Sequence, residues 1–339
     1  MLFSHILVWA ATSLLSGFCL ATNGLQAINE LQVEAIKSLE AQHAKREIGC
    51  SIKNAAVRRD WVSLTIPEKQ DYSRAVQCLW DRPSEGRPAF SAAQNLYDDF
   101  VATHINQSEI IHSTGRFLTW HRLFIWTWES RLRNECSYEG YLPYWNWFEC
   151  PDDLTDSSVF DGSDSSMGGD GEYFEHNGTL VANNHFLPSG KGGGCVMSGP
   201  FVNRTVHLGP FQPGMEGLSP VMKSLQDHNP RCLRRDLSVA PAAAFTHQNL
   251  HNLITGDASR TIDAFQSELQ SSSRGTFSMH NAAHYSLGGD ATCVASSYND
   301  PASYLHHAMV DRLYWIWQAL HPEQARSIAG DLRNLSNVK

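Results

Sequence analysis

The sequence predicts a mainly α fold: a helical core with long loops tied by disulfides. Three observations predict it. Four internal stretches carry helical periodicity, a Gly-, Ser- and Asp-rich region separates the second from the third, and seven of the eight cysteines lie beyond residue 19. At 339 residues, 42% apolar and 18% charged, the chain has the composition of a globular protein with a sizeable core. A net charge of −9 excludes nucleic acid as a partner, because phosphate binding needs a basic surface. Sixteen histidines are a first, weak pointer to metal chemistry.

Residues 1–21, "MLFSHILVWAATSLLSGFCLA", form an apolar run with Cys19 and Ala21 at the −3 and −1 positions of a cleavage site. They read as a secretory signal peptide, too short for a membrane span, and no later segment is apolar enough for stable membrane association. Sequons at Asn106, Asn177, Asn203 and Asn334 agree with a secreted, extracellular glycoprotein. Without Cys19 the cysteines are Cys50, Cys78, Cys136, Cys150, Cys195, Cys232 and Cys293, an odd number that leaves one thiol unpaired within the chain. Of the possible pairings we favour Cys195 with Cys232.

Residues 22–46 read as an amphipathic N-terminal helix. The dibasic pair Lys45-Arg46 closes it. That pair is a processing site if the helix is a pro-segment, and an ordinary solvated helix end if it is not. Residues 47–339 then read as one domain. "FSAAQNLYDDFVATHI" (90–105) predicts a helix opened by Ser91, with Gln94 completing a capping box. "RFLTWHRLFIWTWESRLRNE" (116–135) predicts the second helix. The region after it contains "DSSVFDGSDSSMGGDGE" and "SGKGGG", which lack calcium-loop spacing and read as surface loops. A third helix is predicted from about 274 to 287. A fourth runs from Pro301 to Leu320, with Asp300 as N-cap and Pro301 at the first helical position.

The histidines fall on these elements. On the second helix His121 sits within the apolar stripe Phe117, Phe124, Trp128 and Leu132, where a buried imidazole must hydrogen-bond or ligate. His104 and His112 lie upstream, on the first helix and in its link, so three histidines can converge. In "MHNAAHYSLGG", His280 and His284 share one helix face at i,i+4. His247 and His251 in "HQNLH" have the same spacing, and spacing alone does not separate a ligand pair from a surface pair. On the fourth helix the apolar stripe of Leu305, Met309, Leu313, Ile316 and Leu320 places His306 nearer the core. His307 falls on the polar stripe of Ser303, Asp311, Tyr314 and Gln318.

"FLTWHR", "YLPYWNW", "HNAAHYSLGG" and "DPASYLHHAMVDRLYWIWQ" together resemble the tyrosinase and catechol oxidase family of binuclear copper proteins, most closely the short secreted fungal polyphenol oxidases. The resemblance runs from about residue 50 to 320 and includes "GGGCVMSGPF" and "NPRCLRRDL". It implies a four-helix bundle holding a dicopper centre. One copper would take His104, His112 and His121, and the other His280, His284 and His307, which overrules the stripe argument for His306. It also implies a secreted copper-dependent oxidase that uses O2 to convert o-diphenols to o-quinones. Neutral imidazoles suit both copper oxidation states, and Asp311 is a candidate to orient a ligand ring. Oxidation of o-aminophenols or substituted phenols, or full tyrosinase activity, is the nearest alternative. A non-catalytic O2 carrier and a zinc hydrolase are more distant ones.

The chain departs from the family in three places. No C-x-H precedes His112, so no cysteine–histidine crosslink is expected. Only nineteen residues follow Leu320, so no C-terminal shielding domain is expected. In many tyrosinases a glutamate closes an F-x-x-x-L-E pattern and, with an asparagine after the first histidine of the second site, polarises a water that deprotonates monophenols. Asn281 matches the asparagine, but the pattern here runs from Phe265 to Gln270, an amide that cannot take a proton. Glu268 lies about 160° away around the same helix. Weak monophenol hydroxylation is therefore expected. Gly288-Gly289 matches the family, and Val294 or Ala295 falls at the position that gates substrate access.

Overall fold

The structure is a computed structural model that describes residues 23–43, 55–181, 185–211, 215, 221–271 and 277–330. The signal segment 1–21, Lys45-Arg46, Cys50 and Asn334 lie outside the described residues. The fold is mainly α, as predicted. Helix α1 spans Asn23–His43, α2 Ile66–Asp81, α3 Leu96–Ile111 and α4 Phe117–Cys136. After a long irregular region come the short α5 (Val239–Ala242), α6 (His247–Ile254), α7 (Ile262–Gln270), α8 (Met279–Leu287) and α9 (Ala302–Leu320). Among the described residues the strands form three two-stranded antiparallel ribbons and build no larger sheet.

The first predicted helix is corrected. It starts at Leu96, not near residue 90, and runs on to Ile111. Ser91 is not its cap: its backbone N–H and hydroxyl both donate to Gln226 Oε1. The cap is Asn95, whose Oδ1 accepts from Asp98 N at 2.8 Å, and Asp98 and Asp99 place negative charge on the first turn. His104 therefore sits in mid-helix. At the fourth predicted helix, Pro301 has helical φ −57° and ψ −26°, and Asp300 Oδ1 accepts from Ala302 N at 2.9 Å, the arrangement expected.

Aromatic rings lock the bundle. Trp128 of α4 stacks on Tyr304 of α9 at 3.7 Å, and Trp80 of α2 stacks on Tyr97 of α3 at 3.8 Å. Disulfides tie helix to helix and loop to loop, and charge ties the loop region to the helices. Cys78–Cys136 joins α2 to α4, and Cys195–Cys232 joins two strands of the loop region, the pairing favoured from sequence. Cys150 is also disulfide-bonded, and Cys293 is a buried free thiol. Arg235 is fully buried and donates to both oxygens of Asp300, at 2.9 and 2.8 Å, so the loop region grips the residue that caps α9. Gly288 and Gly289 have φ of +64° and +48°. A Cβ on either would lie 2.2 Å from Asp236 O or 2.1 Å from Arg234 O, so only glycine lets this loop close on the end of α8.

Candidate metal centre

Helices α3, α4, α8 and α9 bring seven histidines into the bundle interior. His104, His112 and His121 form one set and His280, His284, His306 and His307 another, with possible ligand atoms within 4.8 Å of one another inside each set. Among the described residues no other group of three or more His, Cys, Asp or Glu converges this closely. The sets face each other: the His121 and His307 rings stack at 4.5 Å, and His112 lies 6.5 Å from His280. Phe117 packs on both His121 and His280, at 4.8 and 4.9 Å. Tyr298 touches His104 and His307, at 4.7 and 5.1 Å. These rings wall the site with apolar surface.

The hydrogen bonds define the tautomers of the first set. His104 Nδ1 lies 2.7 Å from Ala295 O, His112 Nδ1 3.0 Å from Ser108 O, and His121 Nδ1 2.8 Å from Phe117 O. A carbonyl only accepts, so each Nδ1 carries the proton. Burial pushes all seven imidazoles below the ordinary histidine range, His112 to about 4 and His280 to about 3, so the rings are neutral and hold one proton each. The Nε2 atoms of the first set are then bare lone pairs. His104 Nε2 and His121 Nε2 nevertheless face each other at 3.4 Å with no proton to share. Two lone pairs this close repel unless a cation lies between or beside them. In the second set His280 Nε2 and both ring nitrogens of His284, His306 and His307 are buried without a hydrogen-bond partner in the protein, as is His112 Nε2. This donor set fits a borderline transition metal bound by neutral imidazole.

The remaining candidates lie close by. Gln270 ends α7, and its Oε1 accepts from Ser113 N at 3.0 Å, next to His112. Asn281 Oδ1 lies 3.1 Å from His280 Nδ1, and Asn281 Nδ2 donates to Gln270 O at 2.9 Å. Glu268 is exposed and accepts from Asn252 Nδ2, away from the histidines. Asp311 does not orient an imidazole: Arg58 and Arg122 hold its carboxylate. Backbone carbonyls perform that task in the first set. Sequence reasoning missed Ala295 O, because a carbonyl supplied by a loop leaves no side-chain signal. His247 and His251 are exposed side chains of α6, apart from both sets.

Residues 94–320 match the family described as the common central domain of tyrosinase. The chain belongs to the tyrosinase family. Members of the tyrosinase family are binuclear copper oxidoreductases that use O2 and phenolic substrates, so the cofactor is two copper ions, and the two histidine sets fit it. N-acetyl-6-hydroxytryptophan oxidase of Emericella nidulans is 39% identical over 284 residues, covering 79% of this chain and 76% of that one. Tyrosinase P of Aspergillus terreus is 38% identical over 271 residues, covering 77% and 75%. A solved structure of a variant polyphenol oxidase from Thermothelomyces thermophila superposes with a TM-score of 0.80 at 34% identity, covering 91% of this chain and 85% of that one.

Proposed function

We propose that this tyrosinase-family protein is a secreted catechol oxidase: it uses O2 to oxidise o-diphenols to o-quinones and hydroxylates monophenols weakly. His104, His112 and His121 hold one copper, and His280, His284 and His307 the other. The opposed bare lone pairs of His104 and His121, each fixed by a carbonyl at Nδ1, carry the assignment. The copper pair supplies two-electron redox chemistry toward O2. The chain itself binds and orients. Ala295 O, Ser108 O and Phe117 O keep the first-set protons on Nδ1 and so keep Nε2 free. Phe117, Tyr298 and Phe124 exclude water around the rings and prevent their rotation.

The preference for diphenols rests on Gln270. A monophenol must lose its proton before it binds a metal, and that needs a base. Gln270 offers an amide, and its oxygen is already occupied by Ser113 N. Glu268, the nearest carboxylate along the chain, points elsewhere. Asn281 is set by His280 and by the Gln270 carbonyl. The names of the relatives, a hydroxytryptophan oxidase and a tyrosinase, support a phenolic substrate class. Comparing monophenol with diphenol turnover in wild type and Gln270→Glu tests the reading. We expect the variant to gain hydroxylation relative to diphenol oxidation. Wild type hydroxylating as fast as it oxidises diphenols, or a variant with no gain, would sink it.

Secretion is supported by the apolar residues 1–21, by the disulfides, and by exposure of the sequon residues Asn106, Asn177 and Asn203. N-terminal sequencing of material from the culture medium should begin near Thr22, on a glycosylated chain. Intracellular, glycan-free protein that retains residues 1–21 would refute this.

A further inference from the structure

The "HQNLH" segment belongs to neither histidine set. It forms most of α6, and the His247 and His251 rings lie one turn apart with centroids 6.2 Å from each other, both exposed. Helix α1 packs along α6 and presents Glu30 and Glu34, also one turn apart and exposed. All four side chains line a single surface pocket of about 130 Å³, together with Leu31 and Leu250. No lysine or arginine lines it. The pocket therefore gathers two carboxylates and two imidazoles around an apolar lining, an arrangement that attracts a divalent cation.

The donor chemistry narrows the ion. Two imidazole nitrogens and two carboxylate oxygens are an ordinary zinc set, and zinc imposes no geometry of its own beyond a preference for four ligands. An i,i+4 histidine pair lets both rings reach one ion from a single helix. A hard cation such as magnesium would leave the imidazoles unused. The side chains line the pocket without yet converging, and Glu30 Oε1 accepts from Gln26 Nε2 at 2.8 Å. Exposed side chains change rotamer on the picosecond to nanosecond scale, which lets them turn toward an ion in the pocket.

We propose that this pocket binds one Zn²⁺ between α1 and α6 through His247, His251, Glu30 and Glu34, and so clamps the N-terminal helix to the body of the protein. The site is independent of the dicopper centre and stands or falls apart from it. The test uses copper-loaded protein that retains residues 23–43, dialysed against zinc chloride, with zinc and copper counted per chain and amide exchange followed along α1. Wild type should take up one zinc with its copper content unchanged, and exchange in α1 should slow. The exposed double variant His247→Ala/His251→Ala should lose that zinc and the slowing, and Glu30→Gln/Glu34→Gln should bind it more weakly. The proposal is overturned if wild type takes up no zinc, if zinc enters only as copper leaves, or if the double histidine variant retains it. Zinc that binds without slowing exchange in α1 overturns the clamp.

Discussion

His306 and His307 are adjacent on α9 and so point about 100° apart, yet both are buried in the same cluster. Their neighbours differ. His307 stacks on His121 of the opposite set and lies against Tyr298, at the seam where two metals would meet. His306 packs against His284 and, on its far side, Trp147. We expect His307→Ala to lose copper from one site and abolish turnover, and His306→Ala to keep both coppers. The readout is copper per chain. The reverse pattern would show that the apolar stripe, which favours His306, was the better guide. His247→Ala and His251→Ala should also keep two coppers.

At the scale of elements, α3 depends on its cap. Asn95→Ala removes the acceptor for Asp98 N and should cost about 1 kcal/mol, lowering the thermal midpoint by a few degrees. Ser91→Ala should leave α3 intact, because Ser91 bonds to Gln226 and not to the helix. A midpoint unchanged by Asn95→Ala and lowered by Ser91→Ala would restore the earlier helix start. The same helix shows what was legible in the sequence. Periodicity located α4 and α9 nearly to the residue, because long apolar stripes leave little freedom. It misplaced the start of α3, where Ser91 and Asn95 are both good caps and only the tertiary contact with Gln226 decides between them. The motifs indicated which histidines to examine, and the fold brings His104, His112 and His121 together from one helix, its cap and the next. The partners of those rings were not legible. Ala295 O reaches His104 across 191 positions, and Asp311, a plausible partner by sequence, is taken by two arginines.

The whole molecule also stores charge away from the histidines. Glu149 lies within reach of the charges of Asp60, of Lys69 on α2 and of Arg312 on α9. Burial, and then the Asp60 charge, push its carboxyl up to about 8, only partly offset by Arg312 and Lys69. The folded chain thus holds a proton that the unfolded chain releases above its ordinary 4.5. That contribution to stability is complete below the ordinary carboxylate range and is lost as the pH rises through about 8. Denaturant unfolding across this range should show stability declining toward alkaline pH, and Glu149→Gln should flatten the decline. Asp60, also raised by burial, should leave a residual slope. An identical slope in the variant would show that Glu149 is already ionised in the folded chain.

Cys293 has a further consequence, during folding. In the finished fold its sulfur is buried and accepts from Phe211 N, out of reach of any oxidant. While the chain is still open, that thiol is as available as the cysteines that form the disulfides, and a thiolate that attacks a formed bridge reshuffles it. Once Phe211 packs over Cys293, the buried thiol is removed from that exchange.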